Sequence, residues 1–117
     1  MRASGWHNGS VPLEPAGYGI KFIARDRDAC FESDWNEIVL EVETLEPMTI
    51  KLTPSFWRRC SEVRSPEIGQ WLISAGAAPW KSGLPPGVIV RHIEGNRFSA
   101  RVQLPRSLPG LGSDNDA

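Results

Sequence analysis

The segment GVIVRHIEGNRFSARVQL, residues 87–104, decides how the rest of the chain is read. Two runs of alternating, often β-branched side chains flank Gly95-Asn96, a glycine-bearing tight-turn pair. This predicts a hairpin of two strands, 87–93 and 97–104. With Gly95-Asn96 at the tip, Ile93 faces Phe98, Arg91 faces Ala100 and Ile89 faces Val102 on the core side. The other side pairs His92 with Ser99, Val90 with Arg101 and Glu94 with Arg97. In this register Arg91 points inward and is expected to reach an acid of the first half, Glu41 or Glu43. The outer face then carries His92, Arg97, Arg101 and Gln103.

Upstream, residues 36–43 alternate cleanly, with Ile38, Leu40 and Val42 to one side and Glu37, Glu41 and Glu43 to the other. Val39 is the one apolar residue on the outer face. Residues 48–52 repeat the pattern with Met48, Ile50 and Leu52 inward, and the intervening TLEP makes the two runs a second hairpin. Residues 19–23 give a short strand with Ile20 and Phe22 on one face. A helical turn capped by Asp26 or Asp28 follows and ends near Phe31. The middle is helical. Thr53-Pro54 has the cap and first-turn proline of a helix start, after which Phe56, Trp57, Cys60 and Val63 recur at helical spacing. Ser65-Pro66-Glu67 is a second start that ends the first helix at Arg64. Ile68, Trp71, Leu72 and Ala75 then share one stripe up to Gly76, placed as a C-terminal cap. Together these elements predict an α+β fold, a small and mainly antiparallel sheet of about five strands with two consecutive central helices.

The chain has 117 residues, 40% hydrophobic, with formal net charge −1. That suits one ordinary globular domain and excludes a fully disordered chain. Residues 1–16 carry Gly5, Gly9, Pro12 and Pro15 without an apolar period and read as a flexible N-terminal arm. Residues 105–117 read as a flexible C-terminal tail, leaving 17–104 as the folded unit. No apolar run approaches the roughly 18 residues of a membrane helix, and MRASGWHNGSVPLEPAGYG lacks the apolar region of a secretory signal. Cys30 and Cys60, with no CxxC and no neighbouring His, read as buried thiols of a reducing compartment, hence a cytoplasmic protein.

Catalytic signatures are missing: the sequence has no GxSxG, HExxH, Walker loop or GxGxxG. His7 falls in the arm, and His92 reads as a surface histidine beside Ser99. Asp26, Asp28, Glu32 and Asp34 interleave with Arg25 and Arg27, which weighs against a metal site. No catalytic residue, metal or cofactor is expected. The charge is uneven: residues 17–47 hold three bases against eight acids, residues 48–106 nine bases against three acids, and ten of the thirteen bases are Arg. Arginine's planar fork of donors suits phosphate, so the basic half is a candidate polyanion footprint. Internal neutralisation between the halves, or a solvated helix face at Arg58, Arg59 and Arg64, is the competing reading. Trp57 and Trp71 fall on helix stripes and Trp35 precedes a strand, so all three are expected to pack. Trp80, in a loop beside Lys81, is either a stacking or partner contact or a lid folded back over the core.

The order of elements also resembles a known pattern. A strand, a helical turn with FESDW, a strand EIVLEV and then TIKL resemble the opening of B3-type domains. GLPPGVIVRHIEGNRFSARV resembles their closing loop, strand, turn and strand. The middle departs, the two helices across 54–75 being longer than that family's single short one. Similarity to this DNA-binding pseudobarrel family implies a barrel-like domain gripping the major groove with two arms. Lys21, Arg25 and Arg27 match the first arm and Lys51 the second, with Arg97 and Arg101 as flanking phosphate contacts. The expected function is non-catalytic nucleic-acid binding, of DNA, through an Arg-rich face. The alternative is a protein–protein interaction module, an accessory or inhibitor subunit using the acidic strand face and the Trp80 loop.

Overall fold

A computed structural model describes residues 1–8, 15–43, 45–81 and 83–103 of the protein. Along them run β1 (Arg2–His7), β2 (Tyr18–Lys21), α1 (Ala24–Cys30), β3 (Glu37–Val42), β4 (Met48–Lys51), α2 (Pro54–Arg58), β5 (Glu62–Arg64), α3 (Pro66–Ser74), β6 (Gly87–Glu94) and β7 (Arg97–Gln103). A single 3-10 turn occupies Pro15–Gly17. The strands form one sheet in the order β4-β3-β7-β6-β1-β2-β5. Neighbours are antiparallel except β3 and β7, which run parallel. The two edge strands, β4 and β5, come back into contact, so the sheet curls into a nearly closed barrel. The α+β, barrel-like reading therefore holds, with seven strands among the described residues where about five were expected.

One of the added strands is β1, drawn from residues read as a flexible arm. It sits between β6 and β2, near the centre of the sheet. Its inward positions are Ala3, opposite Val88, Gly5, opposite Ile20, and His7, opposite Tyr18. None of these is a large apolar residue, so the strand leaves no hydrophobic alternation in the sequence. Space at Gly5 is tight: a Cβ there would lie 3.0 Å from Pro86 and from the Trp80 ring, side chains that would have to give by a few tenths of an ångström. The folded unit thus starts well before residue 17, and the tail at 105–117 lies outside the described residues.

The other added strand is β5, drawn from the second half of the expected first helix. Thr53 caps α2 as predicted, its Oγ1 accepting from the Phe56 N–H at 3.4 Å. The Arg59 and Cys60 N–H groups then both bond back to the Ser55 carbonyl, and the helix closes. The chain extends instead along β2, where Val63 lies opposite Ile20 and is buried. Pairing with β2 satisfies backbone groups of both strands while still burying Val63, the apolar residue that made the helix plausible. Two consecutive central helices are thereby corrected to two helices separated by a strand. α3 keeps its predicted ends, with Ser65 Oγ accepting from the Ile68 N–H at 3.2 Å and Gly76 at φ +77°. α1 starts at Ala24 without a side-chain cap, and Asp26 lies inside its first turn.

The β3–β4 hairpin forms as expected, with Ile38 opposite Ile50 and Leu40 opposite Met48, all four buried. The β6–β7 hairpin does not keep its expected register. Glu94 pairs with Arg97 as predicted, but an irregularity between His92 and Glu94 places an extra residue on β6. Below it the pairs are His92 with Phe98, Arg91 with Ser99, Val90 with Ala100, Ile89 with Arg101 and Val88 with Val102. A one-residue shift exchanges the two faces of a strand. Val88 and Val90 now fill the core, both fully buried, and Arg91 is exposed on the outer face. The bulge avoids placing a guanidinium in an apolar interior, a burial that is strongly unfavourable without a partner. Around these valines, Phe31 stacks on Phe98 at 4.9 Å and Phe22 and Phe56 meet edge to face. Trp71 is buried, whereas Trp57 and Trp35 only pack against the core from outside.

Candidate nucleic-acid interface

Cross-strand pairing builds the outer face of the sheet row by row, since directly opposed residues project to the same side. One row reads Arg101, Ile89, Arg2 across β7, β6 and β1. The next reads Glu41, Ser99, Arg91 across β3, β7 and β6. On the far side, Gly87, Ser4 and Lys21 form a third row across β6, β1 and β2. Arg2, Lys21, Arg91 and Arg101 are all exposed. Among the described residues, the ion pairs are Arg97 with Glu41 and Arg27 with Asp28. Arg2, Lys21, Arg91 and Arg101 are in neither. Arg91 and Arg101 are diagonal neighbours on adjacent strands, and like charges so placed repel one another. A bound anion relieves that repulsion.

The residues expected to bind nucleic acid are partly brought together. Arg97, Arg101 and Lys21 share the outer face, although Arg97 is held by the Glu41 carboxylate. Lys51 lies on the same side but across β4, opposite Glu37. Arg25 and Arg27 lie off the sheet on α1. Arg27 is a structural tie: its Nη1 donates to the Phe56 carbonyl at 2.8 Å, its Nε to Asp28 at 2.9 Å, and its guanidinium lies 5.9 Å from the Trp57 ring centre. Only 12% of its side chain is exposed. Arg2 and Arg91 were missed, Arg2 because β1 has no apolar period and Arg91 because the bulge carries no sequence signal. Arg91 does not reach inward to Glu41 or Glu43; it shares their face of the sheet instead.

Trp80 is half-buried and lies over Tyr18 and His7, with ring centres 5.3 and 5.1 Å away, as the lid reading expects. Beside it Lys81 is exposed, as are Leu84 and Pro85. His7 belongs to β1 rather than to an arm, and its Nδ1 is buried with no hydrogen-bond partner among the described residues. Burial holds the Tyr18 phenol above its usual pKa. His92 is opposite Phe98, not Ser99, and its Nε2 meets the Gly95 carbonyl at 2.7 Å. The cysteines are not both buried thiols: Cys30 is half-buried and Cys60 exposed. No group of three or more His, Cys, Asp or Glu side chains is placed to hold a metal among the described residues. No helix there is long and apolar enough to cross a membrane.

No protein-family model matches the chain, and neither functionally characterised proteins nor solved structures give a match.

Proposed function

We propose that the protein is a non-catalytic DNA-binding domain whose sheet face, at Arg2, Lys21, Arg91 and Arg101, contacts the phosphate backbone. The observation that carries this reading is the set of cations on four strand positions of one face, outside every ion pair among the described residues. Arginine and lysine contacts to phosphate position a nucleic acid and release its counterions, which makes affinity fall with salt. The resemblance to the DNA-binding pseudobarrel supports the same reading through Lys21 and Arg101. It is modified at Arg25 and Arg27, which the sheet face does not include.

Titrating labelled duplex and single-stranded DNA against salt tests it. Four neutralised phosphates correspond to a fall in affinity of roughly 50- to 150-fold between about 50 and 200 mM salt. Absence of binding at the lowest salt would remove the reading. A second reading, a protein-interaction module, is favoured by Leu84, 66% exposed beside a shallow groove of about 260 Å³ that Trp80 and Pro86 help to line. Under that reading, substitution of Leu84 rather than of the arginines abolishes the protein's interactions.

A further inference from the structure

Resting on that reading, we infer that the hollow at the centre of the arginine face is a pocket for one unpaired guanine base of the bound strand. The hollow has a volume of about 310 Å³ and is lined by Glu41, Glu43, Ile89, Arg91, Ser99 and Arg101, among others. Ser99 lies directly opposite Glu41 on one side and Arg91 on the other. A small side chain in the middle of the row leaves the depression. The carboxylate and guanidinium sides stand two strand spacings apart, about 9–10 Å. Ile89, opposite Arg101, contributes the apolar surface.

The shape selects the form of nucleic acid. Base pairs in a duplex are read by an element that protrudes into a groove, and a depression does not enter one. An unpaired base can be turned out of its strand and hydrogen-bonded along its own edges, with guanidinium planes stacking on it.

The donor set selects the base. A carboxylate is an acceptor with two oxygens that take two parallel N–H groups. Guanine alone presents two adjacent donors, N1–H and the N2 amino group, on one edge, with O6 and N7 as acceptors for arginine. Adenine and cytosine each offer one amino group beside ring acceptors, and thymine one imide N–H between two carbonyls. Glu43 is the available carboxylate, exposed and outside every ion pair among the described residues, whereas Glu41 is engaged by Arg97. A carboxylate on a phosphate-binding face weakens binding of every sequence. It favours only a base that donates to it, which is how an unfavourable element creates specificity.

The test uses the full chain and short labelled oligothymidine strands carrying one central guanine, adenine or cytosine, or none. The guanine strand is expected to bind about 5- to 160-fold more tightly than the others, the range of a good bidentate base contact. Glu43→Gln should erase that preference while strengthening binding of the other strands. Ser99→Leu, which fills the hollow, should erase it and leave salt-dependent backbone binding in place. Equal affinity for all four strands, or a Glu43→Gln variant that strengthens all of them by one factor, overturns the guanine pocket and leaves the DNA reading standing. Failure of every strand to bind at about 50 mM salt removes both.

Discussion

One extra residue in β6 moves Arg91 from the interior to the outer face, diagonal to Arg101 on the neighbouring strand. Other single residues constrain the packing as tightly. At Gly69 a Cβ would fall 2.0 Å from the Pro15 carbonyl oxygen and 2.5 Å from its Cα, both backbone atoms that cannot swing aside. Gly69→Ala therefore separates α3 from the 3-10 turn. It is expected to destabilise by about 1–3 kcal/mol, a fall in Tm on the order of 5–20 °C measurable by thermal denaturation. Tyr18 sets an alkaline limit. Burial raises its folded-state pKa, so folding disfavours the phenolate. Its contribution is fully present below the ordinary tyrosine value of about 10 and is lost as pH rises through the folded-state value. Denaturant midpoints should therefore decline above about pH 10, and less steeply in Tyr18→Phe.

At the scale of elements, what could be read from sequence divides on whether a segment buries large side chains at a regular period. β3 and β4 bury Ile38, Leu40, Met48 and Ile50 at alternate positions, and their faces follow from that. The starts of α2 and α3 follow from Thr53-Pro54 and Ser65-Pro66, whose side chains cap the backbone as expected. β1 was illegible because its inward residues are Ala, Gly and His, and β5 because Val63, its one buried residue, also fits the helical period that Phe56 begins. In both, pairing with a strand distant in the chain decided the outcome. The arginine site shares this pattern: Arg101 follows from strand alternation and Lys21 from the family resemblance, whereas Arg2 and Arg91 depended on β1 and on the bulge. If β1 is an integral strand, its amides exchange as slowly as those of β2. Gly5, whose N–H bonds the Pro86 carbonyl at 2.9 Å, should be protected to near the global stability in hydrogen-exchange mass spectrometry. Exchange at the rate of an unstructured peptide would show that 1–8 is an arm after all.

Across the whole molecule, the acidic and basic halves of the sequence do not become two opposite faces. The parallel pairing of β3 with β7 lays the glutamates of one beside the arginines of the other, and Glu41 with Arg97 is the neutralisation that results. Past that seam, β6, β1 and β2 carry Arg91, Arg2 and Lys21, each outside the ion pairs among the described residues. Arg58 and Arg59, exposed at the C-terminal end of α2, are a second pair of cations, carried by a helix rather than by the sheet. The most direct measurement compares the DNA affinity of the wild-type chain with two double variants, Arg91→Ala/Arg101→Ala and Arg58→Ala/Arg59→Ala, across the same salt series. Binding through the sheet predicts that the first variant loses affinity and that its salt dependence falls by about 1.4–1.8 logarithmic units per unit, two phosphate contacts' worth. The second should bind like wild type. Loss of binding in the helix variant with the sheet variant unchanged would contradict the assignment of the interface to the sheet.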